Sequence, residues 1–191
     1  MGVIETIASI GPVLLQYFFA LLLVPVSRLL LPHLKTRKQN VIFHIVAGLV
    51  CTYSLYGNDT IFAIANAIVG YYIISLDPWI CFGIAMAINS SLHIWQLFND
   101  DGKWTLNVDS SAMIIFHKII GTAFNLADGR KLAKGEKLYK SFFADYALAK
   151  KPPLLEWLAF CFSPYGGNTG PTYEFSIFDF ILSQYTRPQV P

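Results

Sequence analysis

Charged side chains are scarce in this sequence. Only 14% of its 191 residues are Asp, Glu, Lys or Arg, little more than half the roughly 25% of a typical soluble domain. A disordered chain needs charge to stay solvated, and a nucleic-acid-binding domain needs a basic excess, so a formal net charge of +2 excludes both. Cysteine is scarce as well. Cys51, Cys81 and Cys161 are odd in number, lie in apolar runs and form no C-x-x-C pair, which excludes a disulfide scaffold or a zinc ribbon. The four histidines fall at no metal-binding spacing, so no metal site is expected. A G-x-S-x-G elbow, a phosphate-binding loop and a G-x-G-x-x-G turn are all missing.

Apolar side chains are abundant, at 54% of the chain with 15% aromatic and a mean hydropathy of +0.48. They come in blocks. A helix needs about 20 mostly apolar residues to cross ~30 Å of hydrocarbon. Residues 10–31, 41–56, 60–75 and 79–98 approach or reach that length, and 112–126 and 153–165 are weaker segments. The first block is too long for a cleavable signal peptide and no basic region precedes it. The expected fold is therefore all-α: one polytopic transmembrane helical bundle over residues 1–191, with about five or six spans.

Basic residues give the orientation. Of 14 Lys and Arg, four lie between residues 28 and 38 and seven between 130 and 151. The positive-inside rule places both groups in the cytosol, and counting spans agrees provided that 112–126 crosses. Spans of 16 residues reach only ~24 Å, which suits the thinner endoplasmic reticulum bilayer. Trp79, Trp95, Trp104 and Trp157 are expected near helix ends as an aromatic belt.

Polar residues inside the apolar blocks are the informative ones. Asn89, His93 and Gln96 fall on one helix face at i, i+4 and i+7, and His117, Gly121 and Asn125 do so at i, i+4 and i+8. Each stripe is either an interhelical packing seam or the lining of a substrate passage, and both readings stand at this point. Lys118 is expected to snorkel or to pair with a carboxylate, and His33 and His44 to be solvated or interfacial. The run of Pro and Gly from Ser163 to Pro171 breaks the last apolar stretch, which makes it a candidate broken or re-entrant segment.

Two stretches, WTLNVDSSAMIIFHKIIGTAFNLADGRK at 104–131 and KPPLLEWLAFCFSPYGGNTGPTYEFSIFDF at 151–180, resemble the membrane-bound O-acyltransferase family. The resemblance is strongest to its lysophospholipid acyltransferases, the fungal type of broad head-group specificity. Asp109, Ser111 and Met113 resemble the family's D-x-(S/T)-x-x-M segment, here one residue shorter between the serine and the methionine, and Asp128 and Gly129 resemble the D-G pair closing the next helix. Pro153, Leu154 and Leu155, then Gly170, Pro171, Glu174 and Phe175, resemble its P-P/S-L-L and G-P-x-x-(E/D)-(F/Y) segments.

The resemblance implies transfer of an acyl chain from acyl-CoA to a lysophospholipid hydroxyl, with acyl-CoA as substrate and no bound cofactor. It also implies that this chain corresponds to the N-terminal half of such an enzyme. The family's catalytic Asn and His follow the G-P-x-x-E-F segment and would lie beyond Pro191, so no catalytic residue is assigned here. Arg130, Lys131, Lys134, Lys137 and Lys140 are candidates for meeting coenzyme A phosphates or anionic lipid head groups. The partners implied are lysophospholipid, acyl-CoA and the bilayer. Two other readings compete: a catalytically inactive membrane scaffold or regulator, and a small transporter resting on the Asn89/His93/Gln96 stripe.

Overall fold

The computed structural model describes residues 18, 21–22, 25–26, 29–99, 108–166 and 172–186. Most of the first apolar block, and the positions Trp104, Gly170 and Pro171, lie outside the described residues. All regular structure among those described is helical. We number the α-helices α1 (Arg37–Tyr56), α2 (Thr60–Ile73), α3 (Pro78–Asn99), α4 (Asp109–Ala133), α5 (Leu154–Phe162) and α6 (Phe175–Thr186).

Helix α1 begins with a reciprocal cap. The Thr36 hydroxyl accepts from the Gln39 amide at 3.2 Å, while Gln39 Oε1 accepts from the Thr36 amide at 3.1 Å, which satisfies two donors that the first turn would otherwise orphan. It ends at Gly57, whose φ of 56° is open to glycine but strained for other residues. A 3-10 turn, Gly57–Asp59, then leads into α2.

The chain reverses direction at that turn. Arg37 binds Glu156 through both guanidinium branches, Nε to Oε1 at 2.7 Å and Nη2 to Oε2 at 2.8 Å. The next residue, Trp157, donates from Nε1 to the Ala67 carbonyl at 2.8 Å. A straight helix would hold Arg37 and Ala67 about 45 Å apart, too far for two neighbouring side chains of α5 to reach both. Helices α1 and α2 therefore form a hairpin, and α5 is wedged into its open end. Arg37 also binds Asp179, tying α6 to the same corner.

The remaining helices stack beside this wedge. Helix α3 runs antiparallel to α4, with Trp79 against Phe124 at one end and His93 against Asp109 at the other. Helix α4 runs parallel to α2. Asn66 reaches the Ala112 carbonyl, Gly70 abuts Ile119, and Arg130 donates to the Ser75 and Leu76 carbonyls. Lys151 sits 3.8 Å over the ring of Tyr71. Arg37, Arg130 and Lys151 thus mark one end of the bundle, and the two basic groups of the sequence lie together there.

Around the hydrophobic core, polar side chains are buried and large apolar ones exposed. Asn40, His44, Thr52, Asn66, Ser111, Lys118 and Thr122 are buried, whereas Ile42, Val46, Val50, Trp79, Ile80, Met86, Trp95 and Leu97 are exposed. Two helical stretches, Arg37–Ile73 and Pro78–Phe98, are long and apolar enough to cross a membrane. The second has only 17% of its window buried in the protein, so its apolar surface faces outward. Exposed apolar side chains grouped along a helix mark a surface that another apolar phase or partner covers.

Three expectations need correction. Helix α5 is nine residues long, about 14 Å, and too short to cross hydrocarbon. Trp157 is no belt residue: it is fully buried, because the α1–α2 hairpin closes around it and its indole N–H caps a backbone carbonyl. His44 is neither solvated nor interfacial. It is buried against the rings of Phe43, Tyr165 and Phe178, with Ser163 Oγ 3.4 Å from Nδ1.

Candidate functional site

The break between α5 and α6 creates the site. Helix α5 stops at Phe162, and its last carbonyls lack partners within the helix. Lys118, one residue past His117 on α4, fills that need. Its ammonium donates to the Phe160 carbonyl at 2.7 Å and to the Cys161 carbonyl at 3.1 Å. It lies 4.8 Å from the centre of the Phe160 ring and 5.6 Å from that of Tyr173. A cation at the negative end of a helix dipole, over two ring faces, is favourably placed. Lys118 therefore neither snorkels nor meets a carboxylate, as the sequence suggested; the broken helix offers backbone oxygens closer by.

The next turn of α4 brings in Glu174. Its Oε2 accepts from Asn125 Nδ2 at 2.6 Å, and its carboxylate lies over Gly121, where a Cβ would stand 3.1 Å from Oε2. The stripe His117, Gly121 and Asn125 thus meets Glu174 of the second family-like segment. Between them opens a cleft of about 270 Å³, lined by His117, Lys118, Gly121, Phe160, Tyr173 and Glu174. His117 is exposed, in ring contact with Phe116. Nothing in the sequence pairs Asn125 with Glu174 or Lys118 with α5; only the fold joins them.

The Asp128–Gly129 pair has a backbone role. A Cβ on Gly129 would lie 2.0 Å from the Leu148 carbonyl oxygen, and the Leu148 amide donates to the Asn125 carbonyl at 2.9 Å. Glycine lets the segment leading to α5 cross α4 at close range. Asp128, half-buried, sits 3.9 Å from the Nζ of exposed Lys131, a long pair of little energetic weight.

The other stripe lies elsewhere. Cys81, Ala85 and Asn89 are buried in succession along α3, and His93 continues that line to the first turn of α4, where Nδ1 is 3.0 Å from Asp109 Oδ2. Gln96 is half-buried and Met113 exposed. Asn89 Oδ1 is buried without a hydrogen-bond partner among the described residues. Replacing Asn89 with Leu removes that unsatisfied group. Asn89→Leu is expected to leave the unfolding midpoint in detergent unchanged or to raise it; a clear fall would show that Asn89 makes a stabilising contact.

Among the described residues, no group of three or more His, Cys, Asp or Glu is placed to hold a metal ion. No family model, curated protein or solved structure matches the chain. What fold and site define is an all-helical protein with exposed apolar helix faces, and a polar cleft where a broken helix meets α4.

Proposed function

We propose that this chain is the N-terminal, lipid-handling part of a membrane-bound O-acyltransferase that moves an acyl chain from acyl-CoA to a lysophospholipid hydroxyl. In this reading the bundle is a multi-pass protein of the endoplasmic reticulum membrane, its basic end is cytosolic, and α5 is a re-entrant helix that enters from that side. The observation carrying it is the convergence on α4 of the residues through which the sequence resembles that family. Asp109 begins the helix and pairs with His93, Gly129 admits the segment leading to α5, and Glu174 closes on Asn125.

The chemistry divides accordingly. Esterification needs a base for the lysolipid hydroxyl proton and donors for the developing oxyanion, and the resemblance assigns that centre to residues beyond Pro191. The present residues supply an apolar-walled bundle, a polar cleft and a basic end. Arg130, Lys131, Lys134, Lys137 and Lys140 lie on or just beyond the C-terminal turn of α4, where coenzyme A phosphates could pair with them.

The test uses the natural gene product that contains this chain. Membranes carrying it are expected to convert lysophosphatidylcholine and oleoyl-CoA to phosphatidylcholine with release of free coenzyme A, and membranes carrying these 191 residues alone to give background rates. Background rates from the natural product, with every lysolipid offered, would end the proposal.

A further inference from the structure

We propose that the cleft between α4 and the α5–α6 break binds the ammonium-bearing head group of a zwitterionic lysophospholipid, with Glu174 as its counter-charge. The inference deepens the acyltransferase reading and rests on it for the identity of the lipid.

Size comes first. At about 270 Å³ the cleft falls just below the range of ordinary small-molecule pockets, about 300–1,000 Å³. A head group fits that space and a long acyl chain does not. The lining is also more polar than an acyl chain would select.

Charge sets the class of head group. Glu174 Oε2 is engaged by Asn125, while Oε1 accepts no hydrogen bond among the described residues. A carboxylate with a free oxygen favours a cation and repels a phosphate. The rings of Phe160 and Tyr173 line the same space, and aromatic faces beside a carboxylate suit a quaternary or primary ammonium. These two rings already lie beside the Lys118 ammonium.

Lys118 orients the ligand. Two of its three N–H groups go to the Phe160 and Cys161 carbonyls, which leaves one for an incoming phosphate oxygen. A zwitterionic head group lying across the cleft pairs its phosphate with Lys118 and its ammonium with Glu174. Gly121 keeps the space in front of the carboxylate open, since a Cβ there would crowd Oε2.

The experiment measures binding of tritiated lysophosphatidylcholine and lysophosphatidylglycerol, matched in acyl chain, to the purified natural gene product. Both lipids carry the phosphate and only one carries the ammonium. The parent protein is expected to prefer lysophosphatidylcholine about tenfold. Glu174→Gln is expected to bring the two affinities within about twofold at an unchanged melting temperature. Should Glu174→Gln not fold, Gly121→Ala keeps the charge, crowds the carboxylate and is expected to weaken lysophosphatidylcholine selectively.

Water-soluble glycerophosphocholine distinguishes a lipid site from a free head-group site and is expected to compete poorly. An unbiased parent, a preference that survives both variants, or competition as strong as that of the lipid would overturn the proposal. Acyl transfer is scored separately. Activity with an unmoved preference removes the head-group site alone, and a collapsed preference without activity removes the reaction alone.

Discussion

Gly48→Ala is expected to abolish recovery of folded protein. Gly48 lies midway along α1, and a Cβ built there falls 1.4 Å from the Phe162 carbonyl oxygen and 2.4 Å from its carbon. The obstacle is backbone at the end of α5, so no side-chain rotation relieves it. The two helices must separate by more than an ångström, and the displaced α5 carries with it the Trp157 bond to Ala67 and the Arg37 clamp on Glu156. Overpacking in a core typically costs about 1–3 kcal/mol; here several long-range contacts are lost together, so the upper end is a minimum. Size-exclusion chromatography of a fluorescent fusion in detergent provides the readout. Gly83, with nothing within 4 Å of its Cβ position, is the control, and Gly83→Ala should elute as the parent does. A monodisperse Gly48→Ala peak of parental height would disprove the close approach of α1 and α5.

Lys118→Met has the second largest expected effect. Methionine matches the length of the lysine stem and fills the same volume, so packing changes little. What disappears is the ammonium that satisfies two carbonyls at the end of α5. An unsatisfied buried polar group costs about 1–3 kcal/mol, so two of them remove about 2–6 kcal/mol, a large share of the stability of a typical domain. Thermal unfolding followed by tryptophan fluorescence suits the case, because Trp157 is buried on the same short helix. A midpoint at least 10 °C below that of the parent is expected, with Lys131→Met, an exposed residue, close to the parent. Equal midpoints for the two variants would mean that water or neighbouring groups satisfy those carbonyls.

The helices were legible because their apolar residues come in long blocks separated by turn sequences. The runs 41–56, 60–75 and 79–98 correspond to α1, α2 and α3, and the break at Gly57 came with a turn sequence around it. Helix α4 was legible only in part. Its Asp109, Lys118, Asp128 and Arg130 interrupt the apolar pattern, so the readable core of 112–126 became a helix running from Asp109 to Ala133.

Three side chains were misread for a shared reason. Trp157, His44 and Lys118 each find a partner 42 or more residues away, and neither periodicity nor composition carries that information. For His44 a local signal existed. Asn40, His44, Gly48, Cys51, Thr52 and Leu55 lie on one face of α1 and are all buried, a small and polar seam of the kind that helices use to pack closely. In the candidate site, the stripe on α4 was visible in the sequence, but its partner Glu174 was singled out only by resemblance. The Lys118 cap, which holds the broken helix in place, was not foreseen.

The short wedge helix also dictates an order of assembly during synthesis. The hairpin of α1 and α2 leaves the ribosome about eighty residues before α5 does, roughly 4–16 s at a translation speed of about 5–20 residues per second. Throughout that interval the slot destined for Trp157 and Phe162 stands vacant, with the Ala67 carbonyl and the Gly48 face uncovered. An insertion factor or chaperone that shields such a slot would act on the nascent chain then, and its work would end once α5 docks.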